Sequence, residues 1–176
     1  MRKVTIPIYK YKELSEKAKE KALNTFREHN EMYYLEDNLK EELYQLLIKY
    51  EIDILNKCDI LYSLSHSQRD GVCFVGGFKY DKYRIIIIHQ GYYNNSNSVN
   101  IDIELYESYD EEGNEIIMSS EEETKIYNEF EQIYEEICNT IEKIGYDSIE
   151  YENSEEYIKD HFEANDLEFF ADGSMY

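Results

Sequence analysis

The chain of 176 residues has no tryptophan, one proline, seven glycines and three cysteines. No apolar run approaches the roughly 20 residues that span a bilayer, which excludes a membrane-spanning helix. The start, Met1-Arg2-Lys3-Val4, lacks the apolar stretch of a secretory leader. Cys58, Cys73 and Cys138 are odd in number and form no CxxC pair, so they are expected as reduced core thiols in a cytosolic protein. The sequence contains no P-loop, no GxGxxG and no GxSxG. Asp110-Glu111-Glu112-Gly113-Asn114-Glu115 lacks the spacing of a calcium loop. His29, His66, His89 and His161 stand at no common zinc spacing. No cofactor and no catalytic step are expected. No internal repeat, linker or low-complexity segment divides the chain, which is long enough for one domain with a real core.

Basic residues are scarce where acids abound. Ile101 to Tyr176 holds 25 of the 39 Asp and Glu against Lys125, Lys143 and Lys159, a net −22. The first hundred residues carry 15 Lys and Arg against 14 acids and sum to +1. The expectation is a single acidic domain, 1–176, with a basic-neutral half, 1–100, and a strongly acidic half, 101–176. A folded surface this negative repels nucleic acid and membranes and attracts basic protein surfaces. Disorder is not expected, because aromatic and β-branched residues are interleaved with the acids. The 19 tyrosines fit a protein-binding surface, since Tyr is a favoured interface anchor.

The spacing of apolar residues predicts the elements. Val4–Tyr11 reads as an edge strand, because Pro7 donates no ladder hydrogen bond. Ser15 caps a helix over 16–29, and Leu35, Leu39, Leu43, Leu46, Leu47 and Tyr50 mark a second over 35–50. Strands follow at 60–64, 72–80, 83–93 and 99–109. Asp70-Gly71 sits at a turn, and Gly76-Gly77 marks a bulge or a close backbone approach. Ile85 to Ile88 is apolar on both faces and is expected to be central. Ser120 with Glu123 reads as a capping box opening a helix over 121–144, with Gly145 ending it. Ile126, Phe130, Ile133, Ile137, Ile141 and Ile144 form its apolar stripe, and Glu121, Glu131, Glu135 and Glu142 fall opposite. Asn153 or Ser154 caps a last helix to about Ala164, and Leu167–Phe170 is a short final strand. The expected fold class is α+β: an antiparallel sheet of about four to six strands with two N-terminal and two C-terminal helices packed on it. The lysines Lys10, Lys12, Lys17, Lys19 and Lys21, interrupted by glutamates, read as a solvated helix face with i,i+4 pairs.

Two stretches carry a resemblance. Tyr11 to Ala22, YKELSEKAKEKA, resembles the opening of small proteins encoded by phages and mobile elements of Gram-positive bacteria. A hairpin of the form S-x-S-Q-G-D-G-x-x-F often follows there; Ser65 to Phe74 reads SHSQRDGVCF, with Arg69 in place of Gly. The likeness covers about the first eighty residues. Within that group, the length, acidity and composition resemble a type II-A anti-CRISPR, a phage-borne Cas9 inhibitor. The resemblance implies stoichiometric binding to Cas9 with guide RNA in the host bacterial cytosol. An acidic surface would stand in for DNA in the positively charged channels of such an enzyme. The residues expected to carry this are Glu131, Glu135 and Glu142 on the long helix. Asp110, Glu111 and Glu112 in the turn come next, with Glu150, Glu152, Glu155 and Glu156 before and in the last helix. Three other readings stay open. One is a DNA mimic against another host defence nuclease. A second is a phage structural or assembly protein with a basic partner. The third is an enzyme using His66 or Asp70. Direct nucleic-acid binding is not expected.

Overall fold

In the computed structural model, residues 6–107, 109, 112 and 115–176 are described. The elements run α1 (Glu16–His29), α2 (Leu35–Lys49), β1 (Ile52–Ser63), β2 (Gly71–Tyr80), β3 (Tyr83–His89), β4 (Val99–Leu105), α3 (Ser120–Glu152) and α4 (Glu155–Ala164). The four strands form one antiparallel sheet in the order β1-β2-β3-β4. The fold class is α+β, as the apolar spacings indicate. The chain divides into two compact units. A central unit spans Tyr34–Tyr146, and a terminal unit joins the residues up to Tyr33 with Asp147–Tyr176. The division falls inside α3.

The core of the central unit is built by alternation. Ile60, Val72, Phe74, Phe78, Ile85 and Ile87 are buried on the sheet; Val72 and Phe74, and Ile85 and Ile87, stand two positions apart and Phe78 four beyond Phe74, so the residues of each strand share one face. Leu39, Leu43 and Leu47 of α2 are buried with them, as are Ile126, Phe130, Tyr134, Ile137 and Ile141 of α3. Ile133 and Ile144 only flank this stripe; Tyr134 and Cys138 take the central places. The Tyr134 ring packs against Phe74 with centroids 4.6 Å apart. Its hydroxyl accepts from the Phe74 N–H at 3.3 Å and donates to the Phe74 carbonyl at 3.1 Å. Phe74 lies beyond the last β2–β3 pair, Gly76 with Ile87. One side-chain hydroxyl therefore serves both groups of a backbone that β3 does not reach, while Ile60 of β1 lies opposite Phe74 on the other side.

Several boundaries differ from the expectation. β1 begins at Ile52 rather than residue 60; beyond the buried Ile52 its first half is exposed, and the alternation that Ile52-Asp53-Ile54 begins breaks at Leu55-Asn56-Lys57. Between Ile54 and Cys58 its register shifts against β2. The bulge thus lies on β1, and the glycines opposite permit the close approach. A Cβ on Gly76, whose φ is +147°, would sit 2.3 Å from the Lys57 carbonyl oxygen. The Gly77 N–H donates to Asn56 Oδ1 at 2.7 Å. β3 is interior to the sheet, with Ile85 and Ile87 buried, but Ile88 is exposed on the other face. Ser119, not Ser120, caps α3: its Oγ accepts from the Glu122 N–H at 3.2 Å. Gly145 does not end this helix, which continues to Glu152. Gly145 is buried, and a Cβ there would meet Leu64 Cδ1 at 2.4 Å, so it serves packing rather than termination.

In the terminal unit, Tyr11, Leu14, Ala18, Ala22 and Leu23 are buried with Ile158, Phe162 and Phe169. Ser154 caps α4, accepting from the Tyr157 N–H at 3.2 Å. Among the described residues neither expected terminal strand joins the sheet: Tyr9 forms an antiparallel bridge with Phe169, and Phe169 forms another with Met175.

Candidate functional site

Charge is distributed differently in space than along the sequence. The central unit contains 24 Asp and Glu against nine Lys and Arg, a net −15. The terminal unit contains 15 against nine, a net −6. The reason is long-range pairing. Lys10 binds Asp166 at 2.8 Å and Glu168 at 3.3 Å, Lys12 binds Glu163 at 2.6 Å, and Lys21 binds Asp172 at 2.6 Å. Among the described residues none of the expected i,i+4 pairs of these lysines forms; Lys19 binds Glu16 instead, an i,i+3 contact. N-terminal lysines thus neutralise C-terminal acids, and the strongest excess lies in the central unit.

The N-terminal turn of α3 carries Glu121, Glu122 and Glu123, where carboxylates complement the helix dipole. Several acids of α3, in this turn and beyond it, are taken up by local partners. Glu122 binds Lys82 at 2.7 Å and accepts from the Tyr83 hydroxyl at 2.8 Å. Lys82, foremost, lowers its pKa. Glu129 accepts from the Tyr80 hydroxyl at 2.8 Å, and burial with this carboxylate pushes the tyrosine up to about 12. Glu136 engages the Tyr50 hydroxyl of the chain segment after α2. Glu121 and Glu135 remain exposed to solvent without an ion pair among the described residues. Glu131 is half-buried and accepts from Tyr127 at 3.3 Å.

Glu142 departs from the expectation. It is half-buried, and burial and then the Asp70 carboxylate raise its pKa. It therefore faces the β1–β2 turn rather than the outer side of α3. The unpaired acids on that outer side run from Glu121 to Glu135, about 21 Å of helix, shorter than the sequence implied. Asp110 and Glu111 lie outside the described residues, and Glu112 is exposed. Glu150, Glu152, Glu155 and Glu156 belong to the terminal unit. Glu150 and Glu156 are exposed, Glu152 accepts from Asn30 Nδ2 at 3.3 Å, and Glu155 pairs with Lys159. The sequence reading missed the acids of α2, Glu36, Asp37, Glu41 and Glu42, all exposed in the central unit. Their density within one short helix was the available signal.

The β1–β2 turn is an ordered knot around Asp70. Its carboxylate accepts from the N–H groups of Ser65 and Ser67, from Ser63 Oγ at 2.8 Å and from the Tyr146 hydroxyl at 3.2 Å. These bonds, the Ser67 N–H foremost, hold its pKa down to about 2. The His66 ring stacks on Tyr146 at 4.5 Å, and Cys73 is fully buried. The Asp70 carboxylate is thus engaged by local donors, and the Cys73 thiol is closed off from solvent. Arg69 has a φ of +81° and lies over the Tyr93 ring at 4.6 Å. Arginine here keeps the left-handed backbone that glycine would adopt freely.

A cleft of about 680 Å³ in the central unit is lined by Glu51, Asp53, Asp81, Glu122 and Glu129 with Lys79, Lys82 and Lys125. Mixed charge, part of it already paired, makes it a polar crevice rather than a shaped apolar pocket. Among the described residues no cluster of His, Cys, Asp or Glu is placed to hold a metal ion, and no helix is long and apolar enough to cross a membrane. Comparison with protein families, with curated proteins and with solved structures finds no match.

Proposed function

We propose that this protein is a stoichiometric, non-catalytic inhibitor. Its acidic surface occupies the nucleic-acid cleft of a basic protein, and Cas9 with its guide RNA is that protein. The observation that supports this is the net −15 of a folded central unit. Helices supply much of that charge, and Glu121 and Glu135 on α3 are left facing solvent. Surfaces of this kind steer association with positively charged clefts. The choice of Cas9 rests on the resemblance alone: the YKELSEKAKEKA and SHSQRDG stretches, and within that group the length, acidity and composition.

The test is a titration into purified Cas9–guide RNA, following target binding and cleavage together. Both activities should fall together near one inhibitor per complex. Reversing Glu131 and Glu135 to Lys should slow association at least severalfold, more at low salt. Cleavage lost while DNA still binds would replace occupancy of the cleft with a block at a later step. No effect on either activity would remove Cas9 and leave another defence nuclease or an assembly partner.

A further inference from the structure

The buried residues of α2, Leu35, Leu39, Leu43 and Leu47, define its inner face. Opposite them runs a second stripe: Tyr34, Asp37, Glu41, Tyr44 and Ile48, spaced three, four, three and four residues apart. That spacing puts all five on one side of the helix. Tyr34 is 74% exposed, Ile48 70% and Tyr44 41%. Neither Asp37 nor Glu41 forms a salt bridge among the described residues, and Lys40 is already paired with Glu36 at 2.6 Å. Three large side chains thus stand exposed on one helix face.

We propose that this stripe is a protein-docking surface and that its occupant is a basic helix or loop of the partner, offering arginines beside aliphatic side chains. The proposal rests on the reading that the partner is a basic protein. Charge selects this occupant. A second copy would set Asp37 and Glu41 against themselves, on units of net −15. An arginine satisfies both kinds of residue present, stacking on a tyrosine ring while its guanidinium pairs with a neighbouring carboxylate. Tyr34, Tyr44 and Ile48 then supply the contacts that slow dissociation, while Asp37 and Glu41 speed encounter.

Two measurements decide it. Binding kinetics on immobilised Cas9–guide RNA should show Tyr44→Ala/Ile48→Ala dissociating about tenfold faster or more, with an unchanged salt dependence. Asp37→Asn/Glu41→Gln should instead associate more slowly. Both pairs lie on the surface, so circular dichroism should match the parent chain. Less than about a twofold change in either rate, while Glu131 and Glu135 reversal weakens binding, would overturn the proposal. Separately, the ¹⁵N-labelled chain should be titrated with a synthetic amphipathic helix of arginine and leucine. Amide shifts should concentrate in residues 34–48; shifts confined to α3 or to the sheet would overturn the docking surface. This second arm reads α2 even if the chain does not bind Cas9, a result that would sink only the Cas9 assignment. A dimer of the free chain that Ile48→Glu dissolves would give the face to a second copy and also overturn the proposal.

Discussion

Asp70 shows how one carboxylate can organise a turn. Its bonds come from Ser63, Ser65, Ser67 and Tyr146, and they favour the charged form. Its pKa of about 2 in the folded chain lies below the value of about 3.9 for an unperturbed aspartate. A group depressed in this way stabilises the fold above the unfolded value. That contribution is lost as pH falls through the folded one. Thermal melts from pH 7 downward should therefore lose stability between about pH 4 and pH 2. Asp70→Asn should melt lower at pH 7 and converge with the parent chain toward pH 2. Curves that stay parallel would contradict this role. Tyr134 poses the buried version of the same question. Tyr134→Phe keeps the ring against Phe74 but strips the hydroxyl from both Phe74 backbone groups. The expected cost is about 1–3 kcal/mol, read as a lower urea midpoint. An unchanged midpoint would mean that water takes the hydroxyl's place.

At the scale of elements, two glycines in different settings separate backbone need from packing need. Gly76 combines a φ of +147° with a carbonyl oxygen 2.3 Å from where Cβ would stand. Neither can yield without moving β1. Gly76→Ala should therefore cost about 1–3 kcal/mol or more. Gly145 sits in an ordinary helical turn, and its obstacle is the terminal methyl of a half-buried leucine, Leu64. Alanine there gains up to about 1 kcal/mol of helix propensity, which offsets the shift of that side chain. Gly145→Ala should leave stability within about 1 kcal/mol of the parent chain. Chemical denaturation of the pair checks both; equal losses would mean that Leu64 is pinned. The same glycines mark what the sequence made legible. Gly76-Gly77 in a β pattern pointed to an irregularity and one exists there. Gly145 after a long apolar stripe looked like a terminator, because sequence does not show which neighbour needs the missing Cβ. The stripe of α3 and both helices near the N-terminus were readable from spacing, since burial on one side imposes it. The first half of β1 was not, because beyond the buried Ile52 its side chains are exposed and the bulge between Ile54 and Cys58 breaks the alternation. Glu142 was misplaced for a related reason. A helical wheel knows only its own helix and not the Asp70 turn packed beside it.

For the whole molecule, the decisive quantity is the net −21 and where it resides. Sequence halves placed it after residue 100. The ion pairs of Lys10, Lys12 and Lys21 move the emphasis to the central unit, and no local pattern in the sequence forecasts those pairings. Two opposite responses to salt follow. Like charges in the central unit repel one another and oppose compactness, so screening should stabilise it. The terminal unit's cross-chain pairs are exposed and individually weak, so screening them should cost little. The melting temperature should therefore rise as salt goes from about 0.01 M to about 1 M, over which the screening length shrinks roughly from 30 to 3 Å. Association with a basic partner should weaken over the same range, because the field that steers encounter is the field being screened. Following both in one salt series separates the acidic surface as a liability of folding from the acidic surface as a means of binding. A melting temperature that falls with salt would show that the lysine pairs outweigh the repulsion. Binding that ignores salt would place the contact on uncharged ground and remove the acids from the mechanism.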